Sequence, residues 1–370
     1  VSVADRRFMA RALELARRGR FSAHPNPRVG SVIVRDGQVV GEGWHRRAGE
    51  PHAEIHALQA AGERARGATV YVNLEPCSHQ GRTPPCAEAL VAAGVGRVVV
   101  AMEDPNPRVC GQGLARLRAA GIEVELGLLA DEATALNKGF VKRMAQGRPL
   151  VRGKSAMSLD GRTAMASGES QWITGEEARR DVQRWRARSD AILTGIGTVL
   201  ADDPSLNVRL SAAELAGVEP VFQPLRVVLD PELVLSPKAR LLHLPGKTLV
   251  FTASDRGERS KALEAAGAEI EPVARAGAGL DLAAVLEALA RREINEVLVE
   301  SGPTLAGALL QGRLADEWLV YLAPHVMGDA GRGLFHLPGL ERMEQRLALQ
   351  VREVRAVGRD WRFTVVPGPG

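Results

Sequence analysis

Apolar strands alternate with short amphipathic helices twice along this chain, and the alternation restarts at Gln146-Gly147-Arg148-Pro149. That short polar stop lies between a helix and a new apolar strand, which is the punctuation of a domain boundary. Alternation of this kind folds into layered α/β domains. With 370 residues to distribute, two domains of ordinary size can each bury a core. Residues 1–147 and 148–370 are therefore expected to fold separately.

Within the first part, Phe8, Met9, Ala12, Leu13 and Ala16 recur at helical spacing before Gly19. The turn-rich HPNPRVG leads into an expected strand over residues 29–35. Asp36-Gly37 is a hairpin signal that returns the chain antiparallel through residues 38–44. A helix is expected from His52, and residues 131–145 read as one last helix. In the second part, a strand from Leu150 ends in the turn Ser158-Leu159-Asp160-Gly161-Arg162. A helix is expected over residues 175–189, and the run 347–366 reads as strand.

Composition narrows the class. The chain is 45% hydrophobic and 25% charged, as in soluble globular proteins. Lys and Arg exceed Asp and Glu by 48 to 44. That small excess suits an anionic ligand such as a phosphate ester and does not argue for nucleic acid. Aromatic residues make up only 4%, too few for the stacking surface of an RNA-binding module. An odd, low cysteine count (Cys77, Cys86, Cys110) does not build a disulfide framework, so a reducing, cytoplasmic setting is expected. The N-terminal segment is expected to form a charged amphipathic helix and not to act as a signal peptide. No stretch of 18 apolar residues is present, so no membrane span is expected.

Histidine is unevenly spread: five of eight (His24, His45, His52, His56, His79) lie in the first 79 residues. Among them, His52-Ala53-Glu54 opens a helix, Pro76-Cys77 follows a strand, and Cys86 opens the next helix. One His and two Cys make three ligands of a zinc site whose fourth position stays open for water. Zinc acidifies such a water from about 15.7 to about 7. Glu54, which is not a ligand, is the candidate catalytic residue that carries the proton to a ring nitrogen and then to departing ammonia. The pattern H-x-E…P-C-x-x-C marks zinc nucleobase deaminases, and here the last spacing is C-x₈-C. Singly, each motif is more often structural, and a lone Cys is usually a small buried hydrophobe. Only the ordered combination carries the metal reading. Cys110 lacks such a context and reads as structural. His56 offers a fourth ligand to a closed site, an arrangement that leaves Glu54 without a task.

The later half contains no G-x-G-x-x-G, so a Rossmann reading is poor. It offers Glu300-Ser301-Gly302-Pro303-Thr304-Leu305-Ala306-Gly307 at the passage from an apolar strand to a helix. Free backbone N–H groups at such a turn bind phosphate oxygens, and Gly302 and Gly307 permit close approach; a plain turn is the commoner meaning. Lys154, Ser170, Arg186 and Arg209 are polar groups suited to a sugar phosphate. The Arg-rich helix around Arg186 is equally readable as a solvated face.

HPNPRVG, GEGWHRRAGEPHAEIHAL and LEPCSHQGRTPPC resemble the deaminase half of the bifunctional riboflavin-biosynthesis deaminase–reductases, including the long loop between the cysteines. GKSAMSLDGRTA, SGESQWITG, TVLADDP and ESGPTLAGALL resemble the reductase half. The resemblance covers nearly the whole chain. It implies a cytidine-deaminase-like three-layer N-terminal domain and a dihydrofolate-reductase-like C-terminal domain, α/β throughout. It also implies two consecutive reactions. The first deaminates 2,5-diamino-6-ribosylamino-4(3H)-pyrimidinone 5′-phosphate. The second uses NADPH to reduce the ribosyl group of 5-amino-6-(5-phosphoribosylamino)uracil to ribityl.

By the same resemblance, one Zn²⁺ is held by His52, Cys77 and Cys86, and Asn26 contacts the substrate. His45 and His79 either line that pocket or lie outside it. Lys154, Ser170, Arg186, Leu206, Arg209 and Glu300 are implied substrate contacts. Ala156, Trp172, Thr198, Asp202, Gly302, Pro303, Thr304, Leu305, Ala306, Gly307 and Ala308 are implied cofactor contacts. Asp230-Pro231 departs from the family, where Ser or Thr often follows the Asp, because Pro has neither N–H nor hydroxyl. Small phosphorylated pyrimidines are the expected partners, with self-association into a homo-oligomer and no nucleic acid. Two rivals remain at this stage. One is a zinc nucleic-acid base deaminase with a C-terminal nucleotide- or RNA-binding domain. The other keeps the later half as a non-catalytic sensor or oligomerisation module.

Overall fold

The computed structural model describes residues 2–78, 85–107, 109–254 and 257–368. The chain divides into two compact units, Val1–Gly147 and Arg148–Gly370.

In the first unit, helix α1 (Val3–Ala16) starts with a capping box, Ser2 and Asp5 satisfying each other's backbone N–H. Strands β1 (Gly30–Arg35) and β2 (Gln38–Trp44) form the expected hairpin. Asp36 and Gly37 both have positive φ, at 51° and 75°, as a two-residue hairpin turn requires. There follow α2 (Ala53–Ala61), β3 (Thr69–Val72), α3 (Cys86–Ala93), β4 (Arg97–Val100), α4 (Gln112–Ala119), β5 (Glu123–Leu126), α5 (Ala130–Leu136) and α6 (Lys138–Gln146). The sheet order is β2-β1-β3-β4-β5. β1 is antiparallel to both neighbours, and β3, β4 and β5 are parallel. Met9 and Leu13 of α1 and Ala133 of α5 pack on Val32 and Val99. Ala57, Leu90 and Leu117 of α2, α3 and α4 pack with Ile33, Val70 and Val98. Alternate residues of one sheet thus feed two cores, giving three layers.

The single helix expected over residues 131–145 is two helices. Asn137, between them, turns its side chain to another segment. Its Oδ1 accepts from the Arg28 N–H at 2.8 Å, and its Nδ2 donates to the Arg28 carbonyl at 3.0 Å. This clamp on HPNPRVG holds Asn137 at φ −116° and interrupts the helix.

The second unit contains β6 (Leu150–Ser158), β7 (Arg162–Ala164), α7 (Glu176–Ala187), β8 (Ala191–Gly195), α8 (Ile196–Asp202), β9 (Leu225–Leu229) and β10 (Thr248–Thr252). It continues with α9 (Glu258–Ala265), β11 (Ala268–Pro272), the short pair β12 (Arg275–Ala276) and β13 (Gly279–Leu280), α10 (Leu282–Arg291), β14 (Glu296–Glu300) and α11 (Pro303–Gln311). β15 (Glu317–Ala323), β16 (Arg332–Gly333), β17 (Leu349–Val357) and β18 (Asp360–Pro367) complete it. Nine strands form one sheet in the order β11-β10-β9-β8-β14-β6-β15-β18-β17. It is parallel from β11 to β15 and antiparallel through β18 and β17. The C-terminal run is a hairpin, turned at Gly358 with φ 61°. Helix α8 escaped the sequence pattern because it spans only seven residues, too short for a periodic signal. Among the described residues, no helix is long and apolar enough to cross a membrane.

Candidate active sites in the two units

In the first unit the site grows from the packing of α2 on β2. A side chain at Gly43 would meet the Ala53 carbonyl at 2.3 Å, so only glycine lets the helix start so close to the strand. His52 is the N-cap of α2, in extended conformation, and its ring reaches beyond the helix mouth. Its Nδ1 lies 3.3 Å from Cys86 Sγ and 3.6 Å from Cys77 Sγ. Cys86 opens α3, and its backbone N–H donates to Cys77 Sγ at 3.3 Å. That sulfur therefore occupies a helix N-terminus where negative charge is favoured.

The ligand atoms of His52, Cys77 and Cys86 all lie within 4.8 Å of one another. Zn–S bonds of about 2.3 Å and Zn–N bonds of about 2.0–2.1 Å imply nitrogen–sulfur edges of about 3.6 Å in a tetrahedron. The donor types and the observed spacings fit zinc. His56 is not a member of this cluster.

Glu54 lies in the first turn of α2 and is 3% exposed. Its Oε2 is buried without a hydrogen-bond partner among the described residues. Burial, with the nearby Cys77 adding to it, pushes the Glu54 carboxyl up to about 7. The hydrogen bond with Cys86, outweighing burial, draws the Cys77 thiol down to about 4. Cys86 is pushed up by the same shared proton and by burial. His52 is raised by its hydrogen bond to Cys77. The Glu54 carboxyl thus lies close to both cysteine sulfurs.

Asn26 joins them. Its Nδ2 lies 3.0 Å from His45 Nε2, while His45 Nδ1 lies 3.3 Å from the Pro51 carbonyl. A carbonyl only accepts, so Nδ1 carries the proton and Nε2 accepts from Asn26. Burial lowers the His45 pKa to about 4, which keeps this ring neutral. The His45 and His52 rings meet edge to face at 5.3 Å. His45 is therefore placed beside the cluster, and His79 lies outside the described residues. Cys110, read as structural, has an exposed side chain instead, in the solvent-facing turn before α4.

In the second unit, the register of β6 and β14 sets Lys154 opposite Glu300. Arg186 of α7 grips Glu300 through both oxygens, at 2.6 and 2.9 Å, and its Nη1 donates to the Asn207 carbonyl at 3.0 Å. Burial would raise the Glu300 carboxyl, but Arg186, Lys154 and Arg209 outweigh it and hold the group below its ordinary range. Burial pushes the Lys154 ammonium down, partly offset by Glu300. Buried Leu206 precedes Asn207, whose Oδ1 accepts from Arg209 at 3.1 Å. Ala156 lies on β6 two residues beyond Lys154. Among the described residues, Ser170 makes no hydrogen bond to this group.

Trp172 is exposed and carries the Arg179 guanidinium 4.7 Å from its ring centroid. Trp172, Arg179, Arg180, Gln183 and Arg209 line a cleft of about 440 Å³. Arg179 and Arg180 were not singled out in the sequence. Their only signal was membership of the Arg-rich helix, which also reads as a solvated face.

The remaining residues gather where two helices begin. Thr198 Oγ1 of α8 accepts from the Gly302 N–H at 3.2 Å. Gly302 caps α11, followed by Pro303 and the exposed Thr304. Asp202, one turn after Thr198, is exposed. Leu305 is half-buried, Ala306 and Gly307 are buried, and Ala308 is exposed. The close approach at Gly307 is not open to a ligand as expected: a side chain there would meet the His336 carbonyl at 2.0 Å. Loop packing accounts for that glycine. Pro231 acts through its carbonyl, which accepts from the Ala253 N–H at 3.2 Å.

Comparison with known proteins finds relatives of both units. Residues 2–102 match the cytidine and deoxycytidylate deaminase zinc-binding region, and residues 149–363 match the RibD C-terminal domain. The chain is 54% identical over 361 residues to the riboflavin biosynthesis protein RibD of Escherichia coli, covering 96% of this chain and 97% of that one. Acinetobacter baumannii RibD superposes with a TM-score of 0.92 at 48% identity, over 99% of both chains. A diaminohydroxyphosphoribosylaminopyrimidine deaminase/5-amino-6-(5-phosphoribosylamino)uracil reductase of Thermotoga maritima superposes with a TM-score of 0.84 at 34% identity, also over 99% of both. A C-terminal RNA-binding domain is not supported, because that half matches the RibD reductase region. With both halves matched in order and at nearly full length, the chain belongs to the RibD family.

Proposed function

We propose that this bifunctional deaminase and reductase of riboflavin biosynthesis works through the two clusters described above, the deaminase within residues 1–147 and the reductase within residues 148–370. The convergence of His52, Cys77 and Cys86 beside Glu54, whose Oε2 has no hydrogen-bond partner among the described residues, carries the reading of the first site. These three residues would hold Zn²⁺, which supplies an acidified water when bound. Glu54 takes one proton at Oε2 from the attacking water and gives it to the pyrimidine ring nitrogen, then takes the remaining proton of the added hydroxyl and gives it to the amino group as that leaves as ammonia. Asn26, oriented by neutral His45, hydrogen-bonds the pyrimidine. The substrate is 2,5-diamino-6-ribosylamino-4(3H)-pyrimidinone 5′-phosphate.

For the second site we assign NADPH to the paired openings of α8 and α11, around Thr198, Gly302, Pro303 and Thr304, because the first-turn N–H groups of a helix have no intrahelical partner and suit phosphate oxygens. Leu305, Ala306 and Gly307 support that turn, with Ala156, Trp172, Asp202 and Ala308 around it. The cofactor carries the hydride chemistry, and the protein orients it. Lys154, Arg186 and Arg209 offer positive charge to the substrate phosphate, and Glu300 fixes Arg186; Ser170 and Leu206 complete the assigned contacts.

A coupled assay with the diaminopyrimidine phosphate separates the two activities. Wild-type enzyme releases ammonia and consumes NADPH. Stripping zinc with a chelator abolishes ammonia release, while NADPH consumption from supplied 5-amino-6-(5-phosphoribosylamino)uracil continues. Ammonia release that survives complete zinc removal contradicts the assignment.

We also propose a homo-oligomer in the cytoplasm, acting on small phosphorylated pyrimidines and not on nucleic acid. β17 is the last strand of its sheet, and Leu349, Val351 and Val354 on it are exposed together with Trp361. Exposed apolar sheet edges invite a partner strand. Antiparallel pairing of two copies about Val354 would set Glu353 opposite Arg355. Val354→Lys is expected to shift the sedimentation coefficient toward the monomer, and a monomeric wild type removes the proposal. The three free cysteines suit a reducing compartment.

A further inference from the structure

We infer that Glu75 is a positioning residue for the metal-ligand loop, its carboxylate tying the segment that ends in Cys77 to the first turn of α4. This inference rests on the zinc reading above. Glu75 is 3% exposed, and its two oxygens receive four backbone amides. Oε1 accepts from the Gly113 N–H at 2.8 Å and the Leu114 N–H at 3.3 Å. Oε2 accepts from the Gly111 N–H at 3.0 Å and the Asp104 N–H at 3.1 Å. Helix α4 has no side-chain cap of its own. Glu75 supplies one from another segment and sets a negative charge at the positive helix end.

The next residue reinforces the latch. A side chain at Gly113 would meet the Pro76 carbonyl at 2.0 Å, so α4 abuts the peptide leading directly to Cys77. Beyond it, the Cys77 carbonyl accepts from the Ala87 N–H at 3.1 Å, and its sulfur accepts from the Cys86 N–H. Cys77 is thus suspended between α4 on one side and α3 on the other. Its sulfur can hold the spacing to His52 only while both ends are fixed. Groups behind a metal ligand that orient it typically contribute 10- to 100-fold in metal affinity.

The test uses the full-length chain, with Zn²⁺ as the probe in competition with a chromophoric chelator. Glu75→Gln places an NH₂ group against backbone donors and should weaken zinc binding by about 10- to 100-fold. NADPH consumption from the aminouracil substrate should be unchanged, which serves as the folding control. At saturating zinc, the KM for the diaminopyrimidine should match wild type. A folded variant with wild-type zinc affinity overturns the inference. A wild type that binds no zinc defeats the underlying zinc reading instead. Should the variant fail to fold, hydrogen exchange on the wild type decides. Linkage is reciprocal, so zinc loading should slow exchange at the Gly111, Gly113 and Leu114 amides several-fold. Unchanged exchange there overturns the inference without any mutation.

Discussion

Glu54→Gln should lower deamination by about 10²- to 10⁴-fold, the usual contribution of a positioned acid–base group, while zinc content and NADPH consumption stay at wild-type levels. Gln matches Glu in shape but cannot take up and return a proton. Oε2 is buried and free of protein partners among the described residues, so an amide there fits without breaking a hydrogen bond to it. The effect should fall on kcat, since the proton moves in the transition state rather than in binding. Ammonia release measured at saturating substrate checks this. Full activity in the variant would show that the proton travels by another route.

The convergence of His52, Cys77 and Cys86 was readable in the sequence because each stands at a place the sequence marks. His52 and Cys86 begin helices, and Cys77 follows Pro76 at a strand exit. The β1–β2 hairpin was readable for the same reason, since Asp36-Gly37 states its own turn. The features that escaped act across the chain. Asn137 breaks a helix for the sake of Arg28, more than a hundred residues earlier. Glu75 reads locally as part of Glu-Pro-Cys, yet all four of its side-chain partners come from residues 104–114. Gly307 looked like a ligand-facing glycine and instead accommodates His336. No local propensity encodes such contacts, because the partner is known only once the strands are ordered. The same holds in the second unit, where Lys154 and Glu300 meet only because β6 and β14 are neighbours.

The largest stability effect is expected at Arg152, another product of that strand order. Parallel pairing sets Arg152 of β6 beside β14 and β15. Its guanidinium donates to Glu296 at 3.0 Å and to Glu317 at 2.9 Å. It also lies 4.7 Å from the Trp185 ring centroid, a ring that Arg188 approaches at 4.3 Å. Arg152 is 2% exposed and Glu296 4%, so water cannot replace a lost partner. Arg152→Met keeps the volume but leaves two acidic groups facing each other in the interior. Breaking a buried pair in this way costs about 3–5 kcal/mol. For a unit of this size, that lowers the melting temperature by about 6–20 °C, at roughly 2–4 °C per kcal/mol. The triple replacement Arg152→Met, Glu296→Leu, Glu317→Leu removes the charges together and should regain most of the loss, because desolvation then no longer opposes folding. Calorimetry of the three proteins distinguishes the cases. An Arg152→Met protein that melts with wild type would mean that Arg188, 3.8 Å from Glu296, takes over the pairing.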